Sequence, residues 1–147
     1  MRFFSLCAVA LCFSSCVQKQ NQYEANTIPL TLPNGQVIQV EMMIRDQDMA
    51  KGMMFRDEMK PGHGMLFFHP RVGNTTYWMY QVRIPLDIIW LDANRRVVEM
   101  VENAPPCKTI ASKCPNYGGK ELSLYGLELA GGTARKYGLR VGESVVF

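Results

Sequence analysis

The sequence predicts a single small domain of the mainly β (α+β) class, a mixed β-barrel or half-barrel with two short helices. The chain has 147 residues, which is the length of one domain and enough to bury a core. Its apolar residues fall in many short runs separated by turns that contain Gly or Pro, a pattern typical of strands. Helical spacing of apolar residues is confined to two short segments.

A β-hairpin and a helix are predicted at the start of the domain. The apolar runs 28–32 and 37–44 flank an Asn-Gly pair at 34–35, and such a pair between apolar runs is a strong hairpin signal. Segment 46–54 predicts a short helix, because Asp46 is a capping residue and methionines follow at helical spacing.

The rest of the chain predicts further strands and one more helix. His63 is expected in a loop, since glycines bracket it. The second helix is predicted over 132–137 and is closed by Gly138. The further strands are expected at 65–68, 75–80, 86–91, 97–101, 122–129 and 144–147. No internal repeat indicates a second domain.

The charge pattern makes nucleic acid an unexpected partner. The chain has 16 basic and 13 acidic residues and a formal net charge of +3. The basic and acidic residues are mixed along the chain, without a block of like charge. Binding to phosphate groups requires a concentrated basic surface, which this pattern does not predict.

The N-terminus has the features of a signal peptide. Arg2 precedes the apolar run 3–13. This run is too short for a membrane span, which requires about 20 apolar residues. We therefore expect residues 1–15 to be a signal peptide. The alternative is a buried N-terminal helix.

The end of this segment resembles the lipobox of bacterial lipoproteins. Residues 13–16 read Phe-Ser-Ser-Cys, and in lipoproteins such a Cys is acylated and becomes the mature N-terminus. The resemblance implies that Cys16 anchors the protein in a membrane and that residues 16–26 form a polar tether. Because Val17 is not Asp, the sorting pattern of such lipoproteins implies the cell envelope and the periplasmic face of the outer membrane. Cleavage after Ser15 without lipidation is the alternative.

The cysteines then predict one disulfide. Cys7 and Cys12 leave with the signal peptide and Cys16 carries lipid, so Cys107 and Cys114 remain as a pair in an oxidising compartment. Their spacing differs from the two-residue spacing of zinc knuckles and thioredoxin-like sites. The alternative is a metal or redox pair.

A set of short motifs runs in order through residues 28–147. They are Gly-Met-Met-Phe-Arg at 52–56, Gly-Met-Leu-Phe-Phe at 64–68, Trp-Met at 78–79, Ile-Pro-Leu-Asp-Ile at 84–88, Ala-Pro at 104–105, Leu-Glu-Leu-Ala-Gly-Gly at 127–132 and Val-Gly-Glu at 141–143. Together they resemble the family called domain of unknown function 192 (DUF192). The resemblance implies a small, mainly β domain over 27–147, often exported, whose molecular activity is not established.

Three charged residues lie in apolar surroundings and must find partners. Asp87 and Glu128 each interrupt an apolar run, and Arg56 ends the Gly-Met-Met-Phe-Arg block. A buried charge is costly unless it is paired, and an Arg between two carboxylates would satisfy all three groups. The alternative is an internal ion pair that sets strand register.

Two further residues could complete a cleft. Trp78 offers a stacking surface and His63 a proton carrier, although a core Trp and a loop His are the alternatives. The sequence favours a non-catalytic domain that binds a small ligand or an envelope protein, and it predicts no cofactor. The candidate ligand-binding residues are Arg56, Trp78, Asp87, Glu128 and His63.

Two alternative functions stay open. A small hydrolase-like enzyme could use His63 with Asp87, although no known hydrolase motif is present. A copper-binding protein is the other alternative, because seven of the ten methionines lie between Met42 and Met65 with His63 among them. Thioethers with an imidazole suit Cu(I), but methionine is also a common core filler.

Overall fold

Strands dominate residues 26–147, the part of the chain that the computed structural model describes. One helix, α1 (Asp46–Lys51), and two 3-10 turns, Ala111–Lys113 and Arg135–Tyr137, accompany the strands. The strands are β1 (Thr27–Thr31), β2 (Val37–Met43), β3 (His63–Gly73), β4 (Thr76–Trp78), β5 (Leu86–Leu91), β6 (Val97–Ala104), β7 (Asn116–Gly118) and β8 (Ser123–Ala130). The predicted mainly β class is confirmed, but of the two predicted helices only the first is an α-helix. The second, predicted over 132–137, is reduced to the 3-10 turn Arg135–Tyr137.

Six of the strands form one mixed sheet in the order β1-β2-β3-β8-β5-β6. The β2–β3 pair is parallel and the other pairs are antiparallel. Strands β4 and β7 form a separate two-stranded sheet. The large sheet does not close, but Val146 bridges to Thr31 at one edge and Ser144 to Arg96 at the other. Within the described residues the fold is thus a half-closed sheet rather than a barrel, and the strand predicted at 144–147 is reduced to isolated bridges.

The predicted hairpin and first helix are present with small changes. Gly35 takes a positive φ of 82° in the turn between β1 and β2, a conformation that glycine adopts at little cost. Arg45 occupies the N-cap position and Asp46 is the first helical residue. The helix ends before Gly52, whose φ of 41° leaves the helical region, so it is shorter than predicted.

The prediction that His63 lies in a loop is wrong. His63 is the first residue of β3 and pairs with Gln39 of β2. Strand β3 also continues to Gly73, well beyond the predicted 65–68, because pairing with β8 resumes after an irregularity between Phe68 and Gly73.

Each face of the large sheet supports its own apolar core, since alternate residues of a strand point to opposite faces. All six residues of β5 are buried, which explains why its sequence is apolar apart from Asp87. We call the two sides the aliphatic face and the methionine face. The aliphatic face includes Leu30, Val40, Leu66, Ile89, Leu127 and Leu139. The methionine face includes Met43, Met53, Met65, Phe67, Met79, Ile88 and Trp90.

The predicted disulfide is confirmed: Cys107 and Cys114 are bonded, with Sγ atoms 2.05 Å apart. It lies in the connection between β6 and β7. No helix within residues 26–147 is long and apolar enough to cross a membrane. The predicted signal peptide, Cys16 and all of the predicted tether except Asn26 lie outside the described residues.

Candidate functional site

A pocket of about 110 Å³ opens on the methionine face, between β2, the segment that follows α1, and the start of β3. Its lining combines thioether side chains with charged groups and one imidazole. The lining residues are Glu41, Met53, Arg56, Glu58, Met59, Lys60, His63, Gly64 and Met65.

An ion pair forms part of the pocket wall. Arg56 donates from Nη1 to Glu41 Oε1 at 2.7 Å and from Nη2 to Oε2 at 3.0 Å. The two side chains are only 20% and 18% exposed. A turn after α1 positions the arginine, since its N–H donates to the carbonyl of Met53 and the preceding residue, Phe55, has a φ of 65°. Paired in this fork geometry, the guanidinium has a fixed orientation.

A second carboxyl group lies behind this wall. Glu128 on β8 pairs in register with Met65, which pairs with Glu41, so all three share the methionine face. Glu128 is 6% exposed, and its Oε2 has no hydrogen-bond partner among the described residues. Burial raises the pKa of Glu128 to about 8, while the positive charge of Arg56 acts in the opposite direction. The carboxyl group is therefore largely protonated at neutral pH.

Tyr77 and His69 extend this buried polar region. The Tyr77 ring packs edge-on against Phe67 and Trp90, with centroid distances of 5.2 and 5.5 Å. Its hydroxyl group hydrogen-bonds His69 Nε2 at 2.8 Å. Burial and the nearby Glu128 carboxylate raise the pKa of Tyr77, and burial lowers the pKa of His69. Both shifts favour the uncharged forms of these two groups.

Asp87 does not share this site. It pairs in register with Leu129 and points to the aliphatic face, opposite to Glu128. Its carboxylate accepts the backbone N–H groups of Asn103, Gly132 and Ala134 at 2.8, 2.9 and 2.8 Å. The expectation that Arg56 lies between Asp87 and Glu128 is therefore wrong for Asp87. The acid that pairs with Arg56 is Glu41 instead.

The other two predicted residues separate as well. Trp78 on β4 is 41% exposed and packs beside Tyr80 with ring centroids 5.3 Å apart, away from the pocket lining. His63 lines the pocket, with Nδ1 3.1 Å from the carbonyl oxygen of Pro61. Because His63 and Asp87 point to opposite faces of the sheet, the pairing required by the hydrolase alternative is absent.

Sequence reasoning missed Glu41, Tyr77 and His69. Glu41 lies on the same side of β2 as the exposed Gln39, so the local pattern does not distinguish it from a solvent-facing acid. Its partner could not be recognised, since Arg56 reaches it only through the turn that follows α1. The described residues contain no group of three or more His, Cys, Asp or Glu side chains that could hold a metal ion.

Comparison with known proteins identifies relatives without an established activity. The family model DUF192, described as an uncharacterized ACR, matches residues 30–147. A crystal structure of a protein of unknown function from Novosphingobium aromaticivorans DSM 12444 is 32% identical, with a TM-score of 0.72 over 82% of this chain and 85% of that one. The structure of a candidate transcription regulator from Sinorhizobium meliloti 1021 is 25% identical, with a TM-score of 0.70 over 84% and 96% of the two chains. No curated protein matches the chain.

Proposed function

Since the chain belongs to the DUF192 family, whose activity is uncharacterised, we propose that it is an exported, lipid-anchored domain of the cell envelope that binds a small ligand without catalysing a reaction. The ligand occupies the pocket on the methionine face. At about 110 Å³, the pocket is smaller than the roughly 300–1,000 Å³ typical of sites for drug-sized molecules, so its ligand must be small.

The ion pair between Arg56 and Glu41 is the observation on which this proposal depends. A charged pair that is four-fifths buried in a wall otherwise rich in thioethers presents oriented polar groups inside an apolar concavity. Binding sites for small molecules have this composition, with a few fixed polar groups in an apolar lining.

The chemistry of the lining supports binding rather than catalysis. None of the lining residues is a serine, threonine or cysteine. The ring of His63 hydrogen-bonds the Pro61 carbonyl rather than a carboxylate of the kind that orients the base of a hydrolase. Glu128, whose raised pKa would suit acid–base chemistry, lies behind the wall rather than in the lining.

Attachment to the envelope is supported by the N-terminal sequence. An acylated Cys16 would insert hydrocarbon chains into the membrane, each buried methylene contributing about 0.8 kcal/mol. The tether that follows could reach up to about 30 Å when extended. The outer membrane is proposed because Val17 follows the cysteine.

Native mass spectrometry of the full chain, purified from cells in mild detergent, tests the ligand. We expect the wild-type protein to retain an added small mass and Arg56→Leu to lose it. Arg83→Leu is the matched control, because Arg83 pairs with Asp57 at 2.8 Å outside the pocket and should leave the added mass in place. A wild-type protein without added mass, or equal retention by Arg56→Leu, would contradict the proposal.

A further inference from the structure

Three methionines and one histidine line the pocket. Met53 follows α1, Met59 lies in the connection to β3, and Met65 lies within β3, yet all three line the same space as His63. Met53 and Met65 are 2% and 1% exposed, whereas Met59 is partly buried. Two buried methionines and the more accessible Met59 and His63 therefore border one pocket.

The hydrogen bond of His63 leaves one ring nitrogen available. A carbonyl oxygen only accepts, so the contact of 3.1 Å between Nδ1 and the Pro61 carbonyl places the ring proton on Nδ1. The neutral ring then keeps its lone pair on Nε2. Histidines that bind metals are commonly oriented in this way, by a bond from the other ring nitrogen to a carbonyl or carboxylate group.

The remaining groups do not favour hard cations. The carboxylate of Glu41 accepts both branches of the Arg56 guanidinium, which neutralises it. Glu58, the other acidic residue of the lining, is exposed to solvent, as is the basic Lys60. The two cysteines of the described residues are joined in the disulfide, so they supply no thiolate. Thioether and imidazole ligands prefer a soft ion such as Cu(I), whereas carboxylate and carbonyl oxygens prefer Mg²⁺ or Ca²⁺.

We infer that this pocket binds one Cu(I) ion through the thioethers of Met53, Met59 and Met65 and Nε2 of His63. The inference depends on the proposed function, because it names the ligand class of the same pocket. The Arg56–Glu41 pair does not contact the ion but holds the wall between Met53 and Met59 in place, so Arg56→Leu weakens the site indirectly. The ion is held without a change of oxidation state, so the site serves binding or transfer of copper.

Anaerobic titration of the full chain with Cu(I), in competition with the chromophoric chelator bicinchoninate, tests this site. We expect the wild-type chain to bind one Cu(I). Met59→Leu and His63→Ala should each bind Cu(I) at least about tenfold more weakly, which corresponds to about 1.4 kcal/mol of binding free energy. Met49→Leu is the matched control, because Met49 packs against the same core but does not line the pocket. It should bind as the wild type does.

X-ray absorption of the Cu(I) complex provides a second readout, with sulfur and nitrogen scatterers expected in the first shell. Circular dichroism and thermal unfolding establish that each variant is folded, and the partly buried Met59 and His63 are chosen to spare the core. No Cu(I) binding by the wild type, or equal affinity in Met49→Leu and Met59→Leu, would overturn the inference. If the wild type binds no Cu(I) but retains an organic mass that Arg56→Leu loses, the inference fails while the proposed function stands.

Discussion

At the scale of single residues, two buried acids on adjacent strands have opposite environments. Asp87 accepts three backbone N–H groups, which compensate its burial because bonds to a carboxylate are strong. Glu128 has one oxygen without a partner among the described residues, and burial raises its pKa to about 8. Asp87 therefore stabilises the fold, whereas the ionised form of Glu128 opposes it.

Glu128→Gln should flatten the dependence of stability on pH. The folded pKa of about 8 lies above the ordinary value of 4.5, so in this window the unfolded chain has released a proton that the folded protein still holds. Wild-type stability should fall as pH rises from about 4.5 to 8 and then level off, by on the order of a few kcal/mol. Urea unfolding at about pH 5 and pH 8.5 measures this change.

Glu99→Gln provides the comparison for that experiment, because Glu99 is also buried but its carboxylate accepts the N–H groups of Lys120 and Glu121. Glu99→Gln should lose stability at both pH values, because an amide oxygen is a weaker acceptor for these N–H groups than a carboxylate. The same pH dependence in Glu128→Gln as in the wild type would show that Glu128 does not retain its proton.

Asp87→Ala should destabilise the fold strongly and leave the pocket unaffected. It removes the acceptor of three backbone N–H groups, and each unpaired buried group costs about 1–3 kcal/mol, so we expect a loss of about 3 kcal/mol or more. Asp87→Asn, which keeps one acceptor oxygen, should lose less. Urea unfolding measures the stability of both variants. If Asp87→Ala stays folded but no longer binds a ligand in the pocket, Asp87 belongs to the binding site and this prediction is wrong.

At the scale of the elements, the β4–β7 pair covers the methionine face. It is tied to the large sheet through Trp90, whose Nε1–H donates to the Thr75 carbonyl at 2.8 Å. The backbone at Gly118 in β7 lies so close to the Trp90 ring that a Cβ there would collide with it. The disulfide between Cys107 and Cys114 constrains the connection that leads to β7, and a loop of this length contributes about 2.5 kcal/mol on the chain-entropy estimate.

Gly118→Ala should therefore displace β7 and destabilise the protein more than the same substitution at a glycine with open space around it. Gly35→Ala is the matched control, because Gly35 has a similar φ, 82° against 79°, but no atom within 4 Å of an added Cβ. The control should cost only the backbone strain, about 1 kcal/mol. Thermal unfolding with Trp fluorescence measures both variants. Equal losses would mean that β7 can move away from Trp90 without cost.

At the scale of the whole molecule, the sheet holds two cores and its two edges are joined at one end by the C-terminal residues. Val146 and Thr31 exchange backbone hydrogen bonds at 3.0 and 2.8 Å, and Val97 donates to Glu143 at 2.8 Å. The pocket lies on one face of this sheet, and the loop over Asp87 lies on the other. This separation makes the stability of the fold and the chemistry of the pocket independently testable.

Cys16→Ala tests the proposed attachment of the molecule to a membrane. If Cys16 is acylated, the unmutated protein should partition into detergent, whereas the variant should be released or remain unprocessed, because a cleaved apolar run cannot anchor the domain. Phase separation in detergent and the intact mass of the protein measure this. Soluble mature protein with a free Cys16 thiol, detected by alkylation of the unmutated chain, would refute the anchor.

The sequence by itself determined the fold class, the hairpin, β5 and the disulfide. These features depend on local patterns: alternating or continuous apolar runs, an Asn-Gly turn, and the number of cysteines left after the N-terminal segment. It also identified Arg56, Glu128 and His63 as residues of interest, since a charge or imidazole among apolar residues is visible in one dimension.

Only the tertiary structure decided which of these residues meet. Asp87 and Glu128 look alike in sequence, each an acid within an apolar strand, yet the register of β5 with β8 directs them to opposite faces of the sheet. Glu41 becomes the partner of Arg56 because the turn after α1 brings Arg56 against β2, and the parallel register of β2 with β3 places Glu41 beside Met65. A shift of one residue in a strand exchanges its two faces, so long-range register, which no local pattern specifies, determines the composition of the pocket.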